Sequence, residues 1–357
     1  MKKLILTAMA VVTIIGTASA ELEWLADEYD FGTFLESCGP QTGNVRFVNK
    51  GPEPTIISRV RPSCGCTAAT YTEGEIAVGD TAVVNFTYNP VGRPGRFEKT
   101  VKVYTGTNNR LKTIRIRGTV IGSPETLRLD YPVEAGALRL TTNRLEGGVV
   151  KFGTARHFFV TGYNMSNDTI FPVYECDNPA LSIDIPKDGV VPGDVFAISV
   201  YFNSRDVKQP GPISIPITVK ASKDAKDEAR VIFLADVVAD VGRMSPMEVK
   251  QGARISVTPE LIDLGILQAN KKKTITKEII VENEGENELK ILRIYCAEEG
   301  VKAVKYPTHL KGGKRNTITV KIDPNKLKPG PQAIMLDIYT NDPVKPVKSI
   351  RIAVNKE

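Results

Sequence analysis

Val84-Asn85-Phe86-Thr87-Tyr88-Asn89 alternates apolar and polar side chains at every step. A period of two sends alternate residues to opposite faces, so this stretch predicts a half-buried β-strand. The same pattern returns in Ile198-Ser199-Val200-Tyr201-Phe202-Asn203 and in Ile318-Thr319-Val320-Lys321-Ile322-Asp323. Three spaced copies of one strand predict a repeated unit, and the neighbours of each copy support this.

Downstream, each copy runs into a Pro-Gly loop, at Pro94-Gly95, Pro210-Gly211 and Pro329-Gly330. Upstream stands a turn with glycine, at Gly79-Asp80, Gly193-Asp194 and Gly312-Gly313. Before that comes a strand ending at cysteine, at residues 57–64, 171–176 and 291–296. Earlier still, a strand runs into a polar turn at Asn49-Lys50-Gly51, Asn164 and Asn283-Glu284-Gly285, where Asn and Gly suit a tight connection. Each copy opens on a strand reaching a glycine: Tyr29-Asp30-Phe31-Gly32-Thr33, Val150-Lys151-Phe152-Gly153-Thr154 and Ile262-Asp263-Leu264-Gly265-Ile266. About seven short alternating strands per ~100 residues imply two packed antiparallel sheets. Pro216 cannot donate to a ladder and places its strand at a sheet edge.

The expected fold is therefore all-β: three tandem immunoglobulin-like β-sandwich domains after a cleaved signal peptide. The boundaries are 1–20 for the signal peptide, then 21–122, 123–242 and 243–357 for the domains. The first linker is Ile121-Gly122-Ser123-Pro124 and the second opens at Val241, both too short for a flexible string. The first strand of the second domain is expected near residues 138–141.

Lys2 and Lys3 precede an apolar run over residues 4–15, and small residues stand at Ala18 and Ala20. That is the pattern of a Sec secretory leader cut before Glu21. The run is shorter than the ~20 residues a spanning helix needs, so no membrane span is expected. Without Lys2 and Lys3 the formal charge falls from +6 to +4. Charges of both signs are interleaved, which excludes a nucleic-acid footprint. Lys271-Lys272-Lys273 is read as a solvated turn and Trp24 as a core plug.

From Asp30-Phe31-Gly32, through Ser63-Cys64-Gly65-Cys66-Thr67, to Arg93-Pro94-Gly95-Arg96-Phe97 and Ile116-Arg117-Gly118-Thr119-Val120, the first copy resembles the bacterial domain of unknown function 1573. The third copy fits more loosely and the second least. The resemblance implies an immunoglobulin-like fold, similar to Hydin-type domains and major sperm protein, in the envelope of Bacteroidetes-like bacteria. It implies no activity.

The chain has five cysteines: Cys38, Cys64, Cys66, Cys176 and Cys296. In an oxidising compartment cysteines pair, and an odd count leaves one over. A disulfide from Cys38 to Cys64 or Cys66 is the first expectation. If the backbone is extended, Cys64 and Cys66 lie ~6.5 Å apart, so a bond between them needs a kink at Gly65 and is of the strained, exchangeable kind. Two thiolates on one face, with Cys38 as a third ligand, also form a candidate metal site, for copper before zinc. Cys176 and Cys296 are expected to face the core.

No catalytic residue is expected. The only histidines are His157 and His309, and neither is tied by sequence to a thiol or hydroxyl. The acidic pairs Asp27-Glu28 and Glu298-Glu299 are read as surface charge, and no cofactor is implied. Asp80-Thr81-Ala82 and Asp168-Thr169-Ile170 resemble periplasmic O-glycosylation acceptors, with Thr81 and Thr169 carrying the sugar. The functional expectation is a non-enzymatic periplasmic or outer-membrane-associated protein of a Gram-negative bacterium. It binds an envelope protein or glycan or has a structural role. The alternative is a thiol-based copper or redox protein using Cys38, Cys64 and Cys66.

Overall fold

The computed structural model describes residues 22–240, 242, 244–268 and 273–357. The expected leader, with Lys271 and Lys272, lies outside the described residues. The described strands form six sheets that pair into three sandwiches.

In the first sandwich, one sheet has the order Leu22–Trp24, Gln41–Asn49, Thr81–Tyr88, Thr67–Tyr71. The facing sheet has the order Glu28–Leu35, Arg110–Ile121, Gly95–Thr105, Thr55–Pro62, Glu75–Ile76. The third sandwich repeats this topology from Ile255–Thr258 to Val347–Lys356. In the second, Val133–Ala135 and Leu138–Leu140 form a hairpin at the edge of one sheet, so its first strand begins a few residues before the expected 138–141, while the facing sheet has four strands.

The alternation of the opening stretch is realised. Val84, Phe86 and Tyr88 are buried while Asn85 and Thr87 face outward. Each buried side chain of this size stabilises the fold by roughly 1.5–3 kcal/mol relative to exposure. Trp24 sits half-buried at the rim of this core against Phe47, with ring centroids 4.6 Å apart.

In all three domains an early strand pairs in parallel with the last one, across a bulge. Gly32 and Gly265 occupy the bulge with φ of 68° and 61°, each donating its N–H to the aspartate two residues earlier at 2.8 Å. In the second domain the bulge falls at Gly147-Gly148, not at Gly153. The match of Val150-Lys151-Phe152-Gly153-Thr154 to the other openings is thus out of register. Two glycines are needed there because a Cβ on Gly147 would meet Phe233 at 2.9 Å, while Gly148 has φ of 62°.

Asn49, Asn164 and Asn283 are fully buried and are structural anchors more than turn formers. Each Nδ2 donates to a carbonyl four residues on, at Glu53, Asp168 and Asn287. Each also donates to a distant carbonyl, at Ile76, Val190 and Leu310. Each Oδ1 accepts the N–H two residues ahead, at Gly51, Ser166 and Gly285. One side chain thereby satisfies three backbone groups that would otherwise be buried without partners.

Pro216 behaves as expected only locally. Its strand, Gly211–Lys220, is not an edge strand, since it lies between Glu228–Val238 and Val173–Glu175. The short strand Val173–Glu175 pairs only with residues 218–220, so it stops before Pro216 and leaves the ladder open beside it.

The linkers are structured. Ser123 caps the short helix Pro124–Leu127, and Ser245 forms a capping box with Glu248 at Pro246–Gln251. Across the first junction Glu36 accepts the N–H groups of Gly92 at 2.6 Å and Ser123 at 2.7 Å, and the Thr126 hydroxyl at 2.7 Å. Arg96 makes a two-pronged ion pair with Asp194, and the Tyr163 hydroxyl accepts from Gly122 N–H at 2.9 Å. Across the second junction Tyr339 donates to Asp236 at 2.8 Å and Arg293 to the Pro210 carbonyl at 3.0 Å. The Pro-Gly loops of the first two copies are therefore where the next domain docks.

Candidate functional site

The strand Thr55–Pro62 stops short of Cys64, and the next strand, Thr67–Tyr71, begins directly after Cys66. Between them the chain turns, with Thr67 N–H donating to the Cys64 carbonyl at 3.3 Å. The turn brings the Cα atoms of Cys64 and Cys66 to 5.3 Å, and the two cysteines are bonded to each other. This corrects the expected pairing with Cys38, which is a free, exposed thiol at the end of the 3-10 turn Glu36–Cys38. The extended backbone assumed for residues 64–66 is what misled that expectation.

The bond also removes two of the three ligands of the supposed metal site. Among the described residues no group of three His, Cys, Asp or Glu side chains is placed to hold an ion. Cys176 and Cys296 are half-buried against the second and third cores. Burial pushes the Cys296 thiol above its ordinary range. Thr81 and Thr169 are both exposed. Asp27 pairs with Lys112, and Glu28 with Arg117 at 3.3 Å, as expected of surface charges.

A groove of about 640 Å³ lies over the disulfide, bordered by Arg93, Arg96 and Lys99. Tyr88 and Phe97 are stacked in it, with centroids 3.8 Å apart and planes 10° from parallel. Among the described residues no acidic side chain lines it.

A second site escaped the sequence reading. On the outer face of the second domain His157 and Tyr201 stand opposite each other on paired strands. Their rings stack with centroids 4.1 Å apart and planes 5° from parallel. Phe159 lies against His157 at 4.1 Å and is 59% exposed, and Tyr201 is 45% exposed. Ser182, Asp184 and Ser199 surround the rings on neighbouring positions of the same sheet. A groove of about 330 Å³ runs beside Tyr201, with Ser182, Asn203 and Asp206 along it.

The fold does not require these aromatics. Counting back from the buried asparagines, His157 corresponds to Thr42 and Thr276, and Phe159 to Asn44 and Glu278. The partner of His157, Tyr201, corresponds to Thr87 and Lys321, which pair with Thr42 and Thr276 in the same register. In the first domain that pair is a hydroxyl–hydroxyl hydrogen bond of 3.1 Å. The signal was present in the sequence as aromatic residues at the outward parity of one copy alone.

Fold and sites together define a tandem β-sandwich protein whose first domain carries a disulfide turn. Residues 22–120 match the model of the family described as "Protein of unknown function (DUF1573)", so the first domain resembles that family. No curated protein matches the chain. Among solved structures, a protein of unknown function from Porphyromonas gingivalis W83 aligns at 17% identity over 62% of this chain and 100% of that one, with a TM-score of 0.47. The ASH/PapD-like domain 7 of human CEP192 aligns at 12% identity over 34% of this chain and 99% of that one, with a TM-score of 0.26. An endo-fucoidan hydrolase of glycoside hydrolase family 107 aligns at 10% identity and a TM-score of 0.26; the alignment covers 89% of this chain but only 41% of the hydrolase.

Proposed function

We propose that the chain is a non-catalytic, secreted protein of a Gram-negative cell envelope that binds glycan on the outer sheet of its middle domain. The observation that carries this reading is the exposed His157–Tyr201 stack with Phe159 beside it, at positions where both sister domains carry non-aromatic, polar residues. An exposed aromatic face gains by covering the C–H face of a pyranose ring. Ser182, Ser199 and Asp184 stand where they can hydrogen-bond the ring hydroxyls, which water would otherwise hold. An exposed aromatic cluster flanked by small polar groups suits a neutral sugar better than a greasy peptide.

The flanking domains serve as spacers. Hydrogen bonds at both junctions support a stiff arrangement. The leader-like sequence supports export, and among the described residues no helix is long and apolar enough to cross a membrane.

Two measurements test the reading. Release of the protein with the periplasmic fraction, or its exposure to protease on intact cells, tests the compartment. Electrophoresis in gels cast with soluble α- and β-linked glucans and mannans tests binding. Retardation in at least one gel is expected, and uniform mobility in all of them contradicts the proposal.

A further inference from the structure

The Cys64–Cys66 bond joins residues two apart in sequence. A crosslink restrains the unfolded chain more the longer the loop it closes, and this loop holds a single residue, so the bond is a poor staple. Its surroundings suit a different task. Cys64 is half-buried while Cys66 is buried, and Gly65 between them is exposed, with open space where a Cβ would stand. The Thr67 hydroxyl lies 3.6 Å from the Cys64 sulfur and 3.9 Å from the Cys66 sulfur. Arg93, Arg96 and Lys99 border the groove above. Asp194 of the next domain balances Arg96, so Arg93 and Lys99 set the positive charge of the groove. Cationic groups and a hydroxyl donor favour a thiolate at the half-exposed Cys64, whereas apolar burial beside Tyr88, Phe97 and Val120 opposes one at Cys66.

We infer that Cys64–Cys66 is a thiol–disulfide exchange site for protein dithiols set in acidic sequence. A thiolate of the dithiol attacks the half-exposed Cys64 sulfur. The bond to Cys66 breaks, a mixed disulfide forms at Cys64, and Cys66 leaves as a thiolate near the Thr67 hydroxyl and is protonated. The second thiolate of the dithiol then attacks its own partner sulfur in the mixed disulfide, and Cys64 leaves as a thiolate. The dithiol is oxidised by two electrons to a disulfide. Cys64 and Cys66 are reduced, and they take up the two protons the dithiol has lost. The acidic preference follows from the charge of the groove, which attracts carboxylates flanking the incoming thiol. This site lies in a different domain from the aromatic stack and goes beyond the glycan reading, so either can fail without the other.

The test uses the oxidised mature chain carrying Cys38→Ser, which removes an exposed free thiol. It is mixed with a reduced Cys-Xaa-Xaa-Cys peptide flanked by glutamates or by lysines, and the products are alkylated and weighed. One peptide disulfide is expected per Cys64–Cys66 pair reduced, with far-UV circular dichroism unchanged. The glutamate peptide should react about tenfold faster than the lysine peptide, and Arg93→Gln with Lys99→Gln should shrink that ratio. In a second measurement with oxidised glutathione, Cys66→Ser should capture glutathione on Cys64 at least about tenfold faster than Cys64→Ser captures it on Cys66. Reduction that occurs only as the chain unfolds would overturn the inference, as would equal rates for the two peptides.

Discussion

The Glu36 carboxylate of the first domain accepts the Ser123 backbone N–H at 2.7 Å, from a position only 5% exposed. Burial alone would raise this carboxyl. Hydrogen bonds from Ser123, Gly92 and Thr126 outweigh burial and hold it below its ordinary 4.5. A depressed carboxyl contributes stability that is complete above the unfolded value and fades as pH falls through the folded one. The first junction should therefore loosen below about pH 4.5, measured as a fall in energy transfer between dyes on the first two domains. Glu36→Gln should weaken the junction at neutral pH by about 1–3 kcal/mol, because an amide N–H₂ would face N–H donors. It should also remove the share of the acid sensitivity that Glu36 carries, leaving that of the Arg96–Asp194 pair.

The second junction should respond in the opposite sense. Burial raises the Asp236 carboxyl, and donation from the Tyr339 hydroxyl only partly offsets this. A carboxyl raised on folding costs stability while ionised, and the cost disappears as pH falls through the folded value. Mild acid should thus firm the contact between the second and third domains while it loosens the first. Tyr339→Phe should destabilise this junction by about 1–3 kcal/mol at neutral pH and by less in acid, since protonated Asp236 needs no donor. Differential scanning calorimetry of the wild type and variant across pH checks the sign.

Replacing any one of Asn49, Asn164 or Asn283 with alanine should cost its own domain about 2–4 kcal/mol, because two buried carbonyls and an N–H lose their partner. Aspartate should not rescue, since it keeps the acceptor and loses the Nδ2 donor that two carbonyls need. Chemical denaturation followed by hydrogen exchange should localise each loss to one domain.

These asparagines also show what the sequence reveals and what it hides. Their recurrence after the same strand in all three copies was visible, yet Asn in such a place reads as a turn former. Only burial and the paired carbonyls expose the anchoring role. Period-two alternation located Thr81–Tyr88, Val195–Asn203 and Arg315–Ile322, because the buried positions of each are all apolar. The opening of the second copy misled, because Phe152-Gly153-Thr154 spells the same as Phe31-Gly32-Thr33 while the bulge lies at Gly147-Gly148. At Cys64 and Cys66 a turn replaced the extended backbone that a strand-only reading imposed, and pairing changed with it.

Shared register allows the aromatic stack to be transplanted. Thr42→His, Asn44→Phe and Thr87→Tyr would rebuild its three rings on the outer sheet of the first domain. These positions point away from the core, so stability should change by less than about 1 kcal/mol. The graft should raise the glycan stoichiometry from one to two per chain, read by titration calorimetry.

The most direct test of the glycan-binding account is titration of the mature chain with the polysaccharide that retards it, beside the Phe159→Ala and Tyr201→Ala double variant. Both side chains are largely exposed, so the variant should unfold at the wild-type temperature. An affinity loss of at least about tenfold is expected, since each lost ring contact is worth roughly 0.5–1.5 kcal/mol beyond its buried area. Undiminished binding by a folded variant would contradict it.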